Sequence, residues 1–206
     1  NRDHYITILT LLLLLLQTNI LSAQTCTCTG TNLVQNHSFE SGTNNWSWSG
    51  GNLYSDTYAA QCGTKAGHFQ ITNTGSNWVS QQIGTVGTNG ITAGSILNLS
   101  VYGGTHNPSF YHQVGISYFT SNWTYISGNY TEVNAQLPSM SLYNITSTVP
   151  SNAHFITVEK GGNGDWIKTD RWCVSLSQCN PDNGSAPPFC APQPNCPTGN
   201  NFLWSQ

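Results

Sequence analysis

Short runs of alternating apolar and polar residues, each closed by Gly, Asn, Pro or Ser, constrain this chain more than any other feature. In "HFQIT", Phe69 and Ile71 alternate with His68, Gln70 and Thr72. "SILNLSVY" sets Leu97, Leu99 and Val101 against Asn98, Ser100 and Tyr102, and "HQVGISYF" places Val114, Ile116 and Tyr118 on one face. "LYNITSTV", "HFITVEK" and "WCVSLS" add three more β-rich runs. A period of two puts one side of each run in a core and the other in water. No segment of the interior carries a convincing helical period. Many short half-buried strands with turn signals between them predict an all-β sandwich or jelly roll. The stretch 123–138 is expected to hold a loop or an edge strand.

Charge is scarce. Of 206 residues only 6% are Asp, Glu, Lys or Arg, against roughly 25% in ordinary soluble domains. Five cations against eight anions give a net charge of −3, which excludes a nucleic-acid binder built on a basic patch. With 37% hydrophobic and 11% aromatic residues the chain has enough to bury one core.

The run "ITILTLLLLLL" at 6–16 has the length of a secretory h-region, and "LSA" before Gln24 offers a small residue for cleavage. Residues 1–23 therefore read as a signal peptide, 24–30 as a spacer, and 31–179 as one β-sandwich module. Once the signal is cleaved, no other run suits membrane insertion. Residues 180–199 are a Pro/Gly/Asn-rich linker, and "NNFLWSQ" at 200–206 reads as the start of a truncated further domain of the same longer chain. Seven cysteines (Cys26, Cys28, Cys62, Cys173, Cys179, Cys190 and Cys196) in an exported chain point to disulfides, with the odd one left for a partner elsewhere. Zinc has weaker support, because Cys26 and Cys28 lack a second pair at metal-site spacing.

Catalytic signatures are missing. There is no Gly-x-Ser-x-Gly elbow, His-Glu-x-x-His pair, phosphate loop or dinucleotide fingerprint. Glu132 and Glu159 are the only pair offered to a glycosidase mechanism, and solvent exposure is the expectation for both.

Four stretches, in order along one chain, resemble the carbohydrate-binding-module and galactose-binding-domain-like jelly rolls. "NLVQNHSFESG" followed by Trp46 is similar to the opening of that family. "CGTKAGHFQI" is similar to the family's Ser-Gly-Ser strand entry. "WVSQQI" with "ITAGSILNLSVY" is similar to a Gln-rich strand and its successor. "STVPSNAHFITVEKGGNGDWIKTDRWCVSLS" is similar to the closing pair. The style resembles modules of secreted surface proteins of Bacteroidetes-type bacteria. The resemblance implies a non-catalytic module that binds a polysaccharide or glycan, secreted or at the cell surface. The alternative is a structural or adhesive module without a sugar site of its own. It also implies a structural calcium shared by Glu40 and Asp170, with carbonyls from residues 63–65. Where the family has a second Asp, this chain has Arg171. Without calcium, Glu40 caps local N–H groups and Asp170 pairs with Arg171 or Lys168. In such a jelly roll the first and last strands run close together, which implies a disulfide from the Cys26/Cys28 pair to the Cys173/Cys179 region.

Sugars stack their C–H faces on aromatic rings, and amides and hydroxyls orient them. Trp46 and Trp172 are expected in the core. Trp48, Trp78 and Trp123, beside Gly, Asn or Ser, are candidate platforms, and Tyr102, Tyr111 and Gln113 join them on the polar sides of their runs.

Overall fold

The computed structural model describes residues 25–72 and 77–177. The expected signal peptide, the linker, the further domain and Cys179 lie outside the described residues.

Ten strands follow in order: β1 (Ser47–Ser49), β2 (Gly51–Asp56), β3 (Ala66–Ile71), β4 (Trp78–Thr85), β5 (Ile96–Thr105), β6 (His112–Phe119), β7 (Tyr125–Glu132), β8 (Ser141–Thr148), β9 (Phe155–Gly162) and β10 (Trp166–Leu176). They form two five-stranded sheets with antiparallel neighbours. The front sheet has the order β1-β4-β9-β6-β7 and the back sheet β2-β3-β10-β5-β8. The chain crosses repeatedly between the sheets, and apart from the short, exposed edge strand β1 the strands turn one face to a shared core, as a jelly roll requires.

The alternation read from the sequence is what the packing uses. Phe69, Leu97, Leu99, Val101, Val114, Ile116 and Tyr118 are buried, and Ile156 and Val158 meet them from β9. Trp46 and Trp172 are core residues as expected, and the stretch after Trp123 is the edge strand β7. One cation also lies inside. Lys160 faces inward on β9, and its Nζ donates to Gly67 O and Thr169 Oγ1, both at 2.9 Å. Burial pushes its pKa well below the usual lysine value.

The segment 31–46 forms no strand but leads through a chain of turns, with Asn36, Phe39 and Asn45 at φ of 44°, 58° and 70°. Asn32 takes the strand's role with its side chain: Oδ1 accepts from Val34 N and Val174 N, and Nδ2 donates to Trp172 O. Phe39 drops into the core and stacks on Trp46 at 4.9 Å, which in turn meets Trp172 at 5.4 Å. The following residue, Glu40, is thereby aimed at the loop after β2.

Two disulfides fasten this segment. Cys28–Cys173 joins the chain before the first strand to the last strand, as the resemblance implied, and Cys26–Cys62 ties it to the loop before β3. In the chain-entropy account, closing loops of 145 and 36 residues stabilises by about 5 and about 4 kcal/mol.

Candidate functional site

The outer face of the front sheet is built of rows set by register. One row runs Glu132, Gln113, Gly161, Trp78; the next Tyr130, Gly115, Glu159, Ser80; the next Gly128, Ser117, Thr157, Gln82. Apart from its rings, this face is polar because the opposite side of each strand feeds the core.

Glu159 sits at the centre, half-buried rather than solvent-exposed as the sequence suggested. Three hydroxyls hold it. Ser117 Oγ donates to Oε2 at 2.8 Å, Tyr130 OH reaches the same oxygen at 3.3 Å, and Thr157 Oγ1 donates to Oε1 at 2.8 Å. Ser117 and Tyr130 also bond to each other. Gly115 and Gly128 make this possible, since a Cβ at either would strike the Tyr130 ring, which lies flat over both. Burial raises the Tyr130 pKa, so its hydroxyl stays protonated.

Beside this network Trp78 is 37% exposed, the one large ring on the outer side of β4. It borders two hollows. A groove of about 460 Å³ runs past Ser47, Ser80, Gln82, Trp123 and Thr157, and a recess of about 40 Å³ lies among Gln113, Tyr130, Glu159 and Gly161. Trp123, in a turn at φ 59°, stacks on Phe155 at 4.2 Å and 16° to form the far wall. Tyr111 OH donates to Gln113 Oε1 at 2.6 Å and steadies that amide.

Four of the expected platform residues, Trp78, Trp123, Tyr111 and Gln113, are thus brought to one face. Two are not. Trp48 pairs with Val79 on β1 and so points to the opposite side of the sheet from Trp78. Tyr102 lies on the back sheet, where the Arg171 guanidinium approaches its ring at 6.0 Å. Tyr130, Ser117 and Thr157 were not among the expected site residues, and Glu159 was expected to be exposed. Ser117, Thr157 and Glu159 alternate with core residues in "HQVGISYF" and "HFITVEK", whereas Tyr130 lies in neither run.

Glu40 and Asp170 flank the loop 61–65 from two sides. Glu40 Oε1 accepts Thr64 N at 2.8 Å and Lys65 N at 2.7 Å, and Oε2 accepts Thr64 Oγ1 at 2.7 Å. Asp170 is fully buried; Oδ2 accepts Gln61 N at 2.7 Å and Cys62 N at 2.9 Å, and Oδ1 accepts Arg171 N at 2.7 Å. Calcium needs six to eight oxygens. Here the loop turns N–H groups, not carbonyls, toward both carboxylates, so the residues present do not fit that ion. Asp170 does not pair with the nearby cation side chains either: Arg171 bonds to Thr27 O, and Lys168 to Asp56. Burial raises the Asp170 pKa to about 6.

The sequence matches no known family profile and no curated protein. Solved structures do share the fold. A family 16 carbohydrate-binding module superposes with a TM-score of 0.53 at 18% identity, over 70% of this chain and 99% of that one. The CBM22-1 xylan-binding domain of Paenibacillus barcinonensis Xyn10C gives 0.55 at 15%, over 73% and 97%. TmCBM61, solved with β-1,4-galactotriose, gives 0.50 at 16%, over 72% and 100%. The fold is that of the carbohydrate-binding-module jelly rolls.

Proposed function

We propose that this domain is a non-catalytic module that binds an uncharged polysaccharide along the front sheet. One observation carries the reading: an exposed tryptophan, Trp78, stands one row from Glu159, a half-buried carboxylate held by hydroxyls on the same sheet face. Trp78 offers a stacking surface, and Glu159 accepts from sugar hydroxyls while Gln113 orients them; Ser117, Thr157 and Tyr130 hold the carboxylate from beneath. Charge sets the class of ligand. Among the described residues the cations are Lys65, Lys160, Lys168 and Arg171, and none presents its charge to the front face, whereas Glu159 and Glu132 do. A polyuronate would meet like charge there. The superposed modules described as xylan-binding or galactotriose-bound support glycan recognition on this fold. The two disulfides support export to an oxidising compartment. Glu40 and Asp170 serve as caps for the loop 61–65, and calcium is not part of this reading.

Affinity electrophoresis in xylan, galactan, mixed-linkage glucan and polygalacturonate tests it. Retardation is expected in one or more of the neutral polymers and not in polygalacturonate. Trp78→Ala should abolish it. If the wild type is retarded by no glycan, there or on an array, the reading fails and a structural or adhesive module takes its place.

A further inference from the structure

The back sheet carries an aromatic pocket that the front groove does not use. Trp166 on β10 lies 4.1 Å from the His68 ring on β3 and 6.4 Å from Tyr54 on β2, the latter stacked at 29°. Tyr58, from the loop after β2, with Leu137 and His106 completes a hollow of about 300 Å³. Tyr54 and Tyr58 are 45% and 51% exposed, a large outlay of aromatic surface for a face with no neighbour.

The floor is built and neutral. Lys168 is fully covered; its Nζ donates to Asp56 and, at 2.8 Å, to Tyr58 O, and lies 4.9 Å over the Tyr58 ring. Asp56 Oδ2 bonds to His68 Nδ1 at 2.7 Å and Oδ1 accepts Tyr58 N at 2.9 Å while also holding Lys168. The Lys168 ammonium is matched by the Asp56 carboxylate, and at the other wall Asp165 lies 3.4 Å from His106 Nδ1. Burial holds the His68 pKa at about 4, so its imidazole is neutral near pH 7. A cationic guest would face Lys168, and an anionic one Asp56.

We infer that this pocket is a second glycan site, taking a single uncharged pyranose or furanose ring presented as a branch or chain end, stacked on Tyr58 and Trp166. Its size and ring walls suit one sugar, where the longer front groove suits a run of them. The two sites lie on opposite outer faces of the sandwich, so a single module holds two separate chains. The idea extends the proposed function, but the two sites fail separately.

The experiment follows the indole N–H signals of Trp78 and Trp166 by heteronuclear NMR. The folded domain is titrated with methyl glycosides of xylose, galactose, glucose, mannose and arabinose, each to tens of millimolar, and then with xylohexaose. With at least one monosaccharide the Trp166 signal should move and saturate. It should do so equally in Trp78→Ala, with affinity lost about tenfold or more in Tyr58→Ala. A Trp166 signal silent to every sugar overturns the second site while leaving the front groove standing. An unchanged response in Tyr58→Ala, or a response that tracks dimerisation in sedimentation runs, overturns it too. Loss of Trp78 binding alone touches only the front groove.

Discussion

Glu159 and Asp170 are both carboxylates withdrawn from water, and they are held in opposite ways. Glu159 is half-buried and held by the hydroxyls of Ser117 and Thr157, with Tyr130 bonded to Ser117 and reaching the same carboxylate at 3.3 Å. Asp170 has three backbone N–H donors beneath a loop tied by a disulfide. Hydroxyls rotate, and a sugar's own hydroxyls can stand in for them. Backbone amides cannot turn without refolding the loop. The first arrangement can trade partners with a ligand, and the second can only hold the chain together. The chemistry of the donor thus separates the proposed recognition site from a structural latch.

The sharpest way to break the comparison is to remove the latch. Asp170→Ala leaves the amides of Gln61, Cys62 and Arg171 without their acceptor and should cost about 3 kcal/mol or more in urea unfolding. Glycan affinity of the protein that remains folded should not change. A loss below about 1 kcal/mol would mean water replaces the carboxylate freely.

Glu159→Gln should show the reverse. Its hydroxyl partners can turn to bond an amide oxygen, so unfolding should shift by less than about 1 kcal/mol. Glycan affinity should fall between about tenfold and a hundredfold, because a charged acceptor has been replaced by a neutral one. Titration calorimetry with the best neutral oligosaccharide reads this directly. An unchanged affinity would remove Glu159 from the site.

Acid tests the latch more gently. Burial lowers the His68 and His112 pKa values to about 4 and raises that of Asp170 to about 6. Between those values the unfolded chain holds two more protons on the histidines and one fewer on the aspartate, a net gain of one. From these three groups stability should fall as pH drops through that window by about 1.4 kcal/mol per pH unit, and His37, whose pKa burial also lowers, steepens the fall. In Asp170→Ala the opposing group is gone, and the slope should steepen further, by up to about 1.4 kcal/mol per pH unit. A flat profile would show that these groups are not buried as described.

Chelation should do least of all. With both carboxylates facing N–H donors, the melting temperature should be the same in chelator and in millimolar calcium. A calcium-dependent rise of several degrees would mean that the loop 61–65 turns over to present carbonyls, and the latch would have to be rebuilt as a metal site.

Much of the fold could be read from local pattern, because a period of two is visible within five residues. Leu97, Leu99 and Val101 declare their inward side without help from any other strand. The site was harder. Trp78 and Gln113 were accessible as polar-side residues of single runs, but the Glu159 network exists only once β6, β7 and β9 are in register, aligning Gly115 with both Tyr130 and Glu159. That is information between distant segments. Phe39 escaped for another reason, since a non-glycine residue at positive φ has no signature of its own. Trp48 was misjudged because a three-residue edge strand offers too little alternation to tell its sides apart.

The Cys28–Cys173 bond has a mechanical consequence. A pull applied between residues 25 and 177 enters at Cys28 and leaves at Cys173 through sulfur, bypassing nearly every strand between them. The two sheets carry no load, and the domain behaves under tension as a short, stiff link. With that one bond reduced, Cys26–Cys62 still shunts the force past residues 27–61, so unfolding would put the 111 residues from Cys62 to Cys173 (173 − 62) in series and release slack of at most about 400 Å.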